Sequence, residues 1–290
     1  MNIFLTGGSG YLGRHLIPVL CGHGHQVTAL TRSDSSAALV ADLGATPVPG
    51  ELTDLEVLRA NAAAADAAIH LGQVFSADAQ VIDLAAAQAL LAGLDGRGPY
   101  VHTGGTWVFG DTDGIAEETT PHRPPRVTAW RTGNERTVLA HAETGGHPVL
   151  VMPSLVYGNG GGIIEQVFAA PGRATGAVPC VGDGGNRWSL VHVEDIAELY
   201  ALALSAPAGS SYCGTLDTFP TQAEVLGAVA KSVGATVATL DPGQAEAQLG
   251  AFAEALALDQ RVSGARARRE LDWTPRHTDP LAELSQPTGR

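Results

Sequence analysis

Eight residues near the N-terminus, Thr6-Gly7-Gly8-Ser9-Gly10-Tyr11-Leu12-Gly13, constrain the fold more than any other part of the chain. They follow the apolar run Ile3-Phe4-Leu5 and open a stretch of helical spacing, Tyr11 to Leu20. A strand, a glycine turn and a helix in that order make one corner of a parallel α/β sheet. Gly7 permits the sharp turn, Gly10 lets the backbone approach a pyrophosphate, and Gly13 lets the helix pack closely on the sheet. Phosphates would sit on the unpaired N–H groups that open the helix. The spacing predicts a dinucleotide site built from Thr6, Gly7, Ser9, Gly10, Tyr11, Leu12, Gly13 and Arg14. An ordinary strand–turn–helix corner is the plainer alternative.

Strand-like and helix-like segments alternate over the first half of the chain. The strands are expected at Asn2 to Thr6, Gln26 to Thr31, Thr46 to Val48, Ala67 to Leu71, Tyr100 to Thr103 and Val149 to Met152. Helical spacing runs over Tyr11 to Leu20, Ser36 to Leu43, Leu55 to Asn61, Ala79 to Leu94 and Val127 to Glu143. This is the pattern of an α/β, Rossmann-type doubly wound parallel sheet of six or seven strands. After residue 155 glycine loops interrupt the alternation. Residues 1–155 are therefore read as the nucleotide-binding domain, with segments near 188–204 returning to it, and 156–290 as mainly a smaller C-terminal substrate-binding lobe. The Ala-rich tract Ala245 to Leu258 reads as a surface or lobe helix.

Charge narrows the partners. A net charge of −13 with one lysine, Lys231, disfavours nucleic acid and anionic membranes, both of which need a positive surface. Cys21, Cys180 and Cys213 lie far apart with no metal or redox spacing, so no metal site is expected. The first strand begins with no basic, apolar leader before it, and no apolar run approaches the ~20 residues of a membrane span. The expectation is a cytoplasmic protein acting on a small molecule.

The second strand ends Leu30-Thr31-Arg32-Ser33, where the adenosine ribose lies in this kind of fold. An acid there would accept from the ribose 2′-OH and repel a 2′-phosphate. Arg32 reverses that preference, Thr31 and Ser33 flank it, and Arg14 adds a second cation, so NADP(H) is favoured over NAD(H). A solvated loop arginine neutralised by Asp34 would look the same in sequence. Glu51 and Leu52 follow the third strand and would line the adenine edge, while Leu71, Gly72 and Gln73 end the fourth beside the dinucleotide path. His70, on the same apolar strand, reads as a hydrogen-bonded core histidine.

Taken in order, further segments resemble the extended short-chain dehydrogenase/reductase superfamily, in its branch of NAD(P)-dependent epimerases, dehydratases and atypical relatives. They are Val108-Phe109-Gly110-Asp111, Pro153-Ser154-Leu155-Val156-Tyr157-Gly158, Trp188 to Ala197, and Ala267 to Pro275. The resemblance implies cofactor contacts at Pro153, Ser154 and Leu155, and chemistry by a Ser/Thr, a Tyr, and a Lys four residues after the Tyr. That pair is missing. Tyr11, Tyr100, Tyr157, Tyr200 and Tyr212 are followed four places on by His15, Gly104, Gly161, Leu204 and Leu216. Counting from Gly110 puts Trp130 and Asn134 at the Tyr and Lys positions; matching the helix's later Glu puts Val127 and Arg131 there, with Arg131 able to hold ribose hydroxyls. The usual serine run becomes His102-Thr103-Gly104-Gly105-Thr106-Trp107, leaving Thr103 or Thr106 either to orient a reacting oxygen or simply to close the strand-to-loop turn.

Tyr157 is a surrogate proton donor on this reading, or a packing residue. Trp107, Trp130 and Trp188 would line an apolar substrate pocket with Tyr157. The resemblance thus implies an NADP(H)-dependent oxidoreductase acting on a small organic carbonyl, enone or imine. Its alternatives are a nucleotide-sugar-type epimerase or dehydratase, and a non-catalytic NADP-binding redox sensor. It also makes a homodimer plausible.

Overall fold

The computed structural model describes residues 1–287. Its strands are β1 (Asn2–Thr6), β2 (Gln26–Thr31), β3 (Thr46–Pro49), β4 (Ala67–His70), β5 (Tyr100–Thr103), β6 (Pro148–Pro153), β7 (Leu155–Tyr157), β8 (Ala177–Val181), β9 (Leu190–His192), β10 (Ser210–Gly214) and β11 (Thr236–Leu240). Seven of them form one parallel sheet in the order β10-β6-β5-β4-β1-β2-β3. The order reverses between β1 and β4, and ligands of open α/β sheets bind beyond the carboxyl ends of the strands at such a point.

The helices are α1 (Tyr11–Gly22), α2 (Asp34–Asp42), α3 (Leu55–Ala64), α4 (Ala79–Leu94), α5 (Arg131–Ala140), α6 (Ala170–Thr175), α7 (Val193–Ala203), α8 (Gln222–Val233), α9 (Pro242–Leu249), α10 (Phe252–Leu256), α11 (Ala265–Leu271) and α12 (Pro280–Leu284). Side chains alternate along a strand, so β1 sends Ile3 and Leu5 to one face and Phe4 to the other. Ile3 and Leu5 meet Leu16, Ile17 and Leu20 of α1 and Ile196, Leu199 and Tyr200 of α7. Phe4 meets Leu58 of α3, Leu90 and Leu91 of α4, and Val138 of α5. Covering both faces explains why β6 is apolar without alternation.

Four details depart from the sequence reading. The fifth helix begins at Arg131, not Val127, because Pro124 and Pro125 enforce a turn in which the Thr128 N–H donates to Pro125 O and the Arg131 N–H to Thr128 O. The second begins at Asp34, where Ser33 and Ser36 cap it reciprocally. The Ala-rich tract is two helices, α9 and α10, broken at Gly250 with φ +56°. Finally, β10 joins the central sheet beside β6, so residues well past 204 return to it.

The remainder makes a lobe of two small parallel pairs, β7 with β9 and β8 with β11, over a core that includes Phe168, Trp188, Val225, Leu226 and Leu256. α11 then comes back to the main sheet with Ala267, Leu271 and Trp273, and Trp273 Nε1 donates to Asp195 O at 2.8 Å. Among the described residues no helix is long and apolar enough to cross a membrane.

Candidate active site

The glycine turn has the geometry of an anion cradle. Gly7 lies at φ +75°, and a Cβ there would stand 2.7 Å from the Leu71 carbonyl carbon. A Cβ on Gly13 would lie 2.3 Å from Gly7 O, whereas one on Gly10 would meet only Gly7 O at 3.2 Å. α1 therefore starts against the turn, with no side-chain cap and no acid in its first turn, leaving its N–H groups and positive dipole end available to a phosphate. Ser9 and Leu12 are half-buried beside the turn. Thr6 turns inward: its hydroxyl accepts from the Gly72 N–H at 3.1 Å and lies 2.6 Å from His70 Nδ1. Tyr11 donates to Gly158 O at 2.6 Å, tying the helix to the Gly158–Gly162 loop.

At the adenosine end Thr31 donates to Val48 O, Ser33 caps α2, and the Glu51 N–H is held by Asp54. Leu52 packs where a Cβ on Gly72 would fall. The arginine ion pairs of the described residues involve Arg126, Arg173, Arg261, Arg266, Arg268 and Arg269. Arg14 and Arg32, both exposed, remain outside them.

The far end of the site is organised by Thr103 and Arg131. The Arg131 guanidinium donates to Thr103 O at 3.2 Å and to Gln73 Oε1 at 2.8 Å, and stacks over Trp130 at 4.5 Å. Thr103 Oγ1 donates to His70 O at 2.7 Å and accepts from Tyr200 OH at 2.8 Å. Asn134, the other candidate for the Lys position, is buried and donates to Gln80 O at 2.9 Å and Asp83 Oδ2 at 2.7 Å. A Cβ on Gly105 would meet only Pro153 O at 3.9 Å, so the strand end opens into free space there. Ser154 donates to Gly214 O, and buried Thr106 offers its carbonyl to Gln260.

Beneath Thr103 lies a polar network that the sequence reading missed except for His70. His70 and His102 approach Asp83 at 3.5 and 3.7 Å, and Tyr100 OH lies 2.8 Å from His102 Nδ1. Burial alone would raise Asp83, but His70, His102 and Asn134 hold it down at about 2. Burial takes His102 down to about 3, so that ring is neutral. Glu135 is buried with neither carboxylate oxygen hydrogen-bonded, and burial raises it to about 7, opposed by Arg131 and aided by Asp83.

Two clusters bring three metal-ligating side chains together, His70–Asp83–His102 and His192–His277–Glu283. Thr6 Oγ1 accepts from the Gly72 N–H and lies 2.6 Å from His70 Nδ1, while His70 Nε2 faces Asp83 Oδ1 at 3.5 Å. His192 Nδ1 accepts from the Glu194 N–H, which leaves Nε2–H toward Glu283.

The expected aromatic pocket forms only in part. Trp107 and Trp188 share a cavity of about 10 Å³ with Leu155 and Leu256, room for roughly one water. Trp130 is absent from that lining because it stacks on Arg131 instead. Tyr157 is fully buried, its hydroxyl donates to His277 O at 3.4 Å, and burial pushes its phenol far above the ordinary range. Tyr157 also lines a cavity of about 360 Å³ with His192 and His277.

Residues 3–212 match the model of the NAD dependent epimerase/dehydratase family. The chain belongs to that family. Within it, the chain is 30% identical to the uncharacterized protein YLL056C of Saccharomyces cerevisiae over 98% of both chains. It is also 30% identical to a 4-hydroxy-2-methyl-3-oxo-4-farnesyl-3,4-dihydroquinoline-1-oxide ketoreductase of Stigmatella aurantiaca, over 73% of this chain and 67% of the relative. Its fold resembles that of DesIV, a dTDP-glucose 4,6-dehydratase from Streptomyces venezuelae solved with NAD and TYD bound. The TM-score is 0.80 at 23% identity, covering 98% of this chain and 95% of that one. This family member carries no tyrosine followed four places later by lysine.

Proposed function

We propose that the chain is an NADP(H)-dependent oxidoreductase that transfers hydride to or from a small organic carbonyl, enone or imine. The observation that carries this reading is the position of Arg131. It places a permanent cation beyond the ends of β4 and β5, donating to Gln73 Oε1 and Thr103 O. The ketoreductase relative supports a carbonyl substrate. Arg32 just after β2, and Arg14 in the first turn of α1, both outside the ion pairs of the described residues, support NADP over NAD.

The cradle fits a dinucleotide: the uncapped start of α1 takes the pyrophosphate, Arg32 and Arg14 the 2′-phosphate, and Arg131 the ribose hydroxyls next to the reacting end. The bound nicotinamide supplies the hydride. Thr103 orients the reacting oxygen, and water or Thr103 supplies the proton. An epimerase or dehydratase reaction is the runner-up by family, weakened by the missing Tyr–Lys pair.

The test is to mix purified protein with NADPH and a panel of ketones, enones and imines and follow the nicotinamide absorbance. A compound-dependent loss supports the oxidoreductase. Tight NADPH binding with no absorbance change across the panel would show a nucleotide-binding sensor, and no binding would defeat the reading altogether.

A further inference from the structure

A phenol, an alcohol and a guanidinium meet at the end of β5, delivered by three different elements. Tyr200 on α7 donates to Thr103 Oγ1, Thr103 Oγ1 donates to His70 O, and Arg131 on α5 holds the Thr103 carbonyl. Tyr200 is 0% exposed. Burial raises its phenol, while the Thr103 hydrogen bond and the Arg131 charge act in the opposite direction. A threonine alone is neither a good acid nor a good base. A threonine that accepts from a phenol while donating to a backbone carbonyl is different, because its proton can turn toward a new acceptor and be replaced from behind.

We propose that Tyr200 is the positioning and proton-relay residue behind Thr103, supplying from α7 the phenol that α5 lacks. This rests on the hydride-transfer reading above. In the reducing direction a bound reduced nicotinamide would supply hydride with its two electrons to the carbonyl carbon, whose π pair would move to oxygen. The Thr103 O–H bond breaks to protonate that oxygen, and the Tyr200 O–H bond breaks to restore Thr103. The phenolate left near Arg131 recovers its proton from water through Thr103 once product leaves. Oxidation runs the same steps backward.

Tyr200→Phe keeps the ring that packs in the core and removes only the hydroxyl. It should lower kcat by roughly 10²-fold, leaving KM and the NADPH Kd unchanged, with binding measured by fluorescence titration. A variant retaining full kcat would overturn the relay. A second measurement needs no cofactor. With 3-fluorotyrosine at position 200, the pH titration of its phenolate absorbance should move to higher pH on adding Arg131→Ala. An unmoved titration would overturn the Arg131–Tyr200 coupling. If the unmodified protein neither binds NADPH nor turns over any carbonyl, the oxidoreductase reading fails, and the absorbance titration still decides the coupling separately.

Discussion

The carboxylate of Glu135 occupies the volume that a side chain on residue 104 would fill: a Cβ on Gly104 would lie 2.7 Å from Glu135 Oε1. Neither oxygen has a hydrogen-bond partner among the described residues. Because Glu135 titrates at about 7 in the folded protein, against about 4.3 unfolded, the folded state binds its proton more tightly. Its contribution to stability is therefore full below pH 4 and is lost as pH rises through 7. Glu135→Gln should reduce the fall in unfolding free energy between pH 5 and pH 8 by about 2–3 kcal/mol. Chemical denaturation at the two pH values checks this, and an unchanged difference would refute the assignment.

Cofactor preference should depend on Arg32. NADPH should bind more tightly than NADH, and Arg32→Ala should remove roughly 1–3 kcal/mol of the difference, typical of a charge-assisted phosphate contact. Titration of both cofactors into both proteins measures it. Equal affinities in the unmodified protein would count against NADP specificity.

Gly10→Val should abolish cofactor binding without unfolding the sheet. The new Cβ would meet only Gly7 O at 3.2 Å within the protein, yet its branches enter the space of the pyrophosphate. A thermal-shift assay with and without NADP separates the effects. Stabilisation equal to the parent's would show that the turn is only a structural corner.

Removing Arg131 should weaken NADPH binding and turnover together, whereas Lys231→Ala, exposed on α8, should change neither. A guanidinium stays charged across the working range, so the rate should not follow the titration of a lysine-tuned phenol. Full affinity and activity in Arg131→Ala would return attention to Trp130.

The turn around Gly7, Gly10 and Gly13 was legible in sequence because each glycine answers a local backbone demand. The spacing of Arg131 to Glu135 was legible as one helical turn, which α5 provides. The start of α5 was not, since helical spacing continues upstream through a segment that Pro124 and Pro125 hold in a turn. Trp130 could not be separated from Trp107 and Trp188 by composition; only the Arg131 stack distinguishes it. Tyr200 gave no local signal, because its partner Thr103 lies 97 positions away and is reached only when α7 packs on the sheet.

The place of β10 beside β6 bears on how the chain is made. β6 reads Pro-Val-Leu-Val-Met-Pro, and its outer edge is covered only by Ser210–Gly214. During synthesis that apolar edge must wait for some 60 further residues before its neighbour exists, with its N–H and C=O groups open to pairing with another nascent chain. Expression yield and chaperone dependence should thus be set by a strand far from the nucleotide cradle, and a protein cut short before Ser210 should aggregate although every residue of the cradle is present.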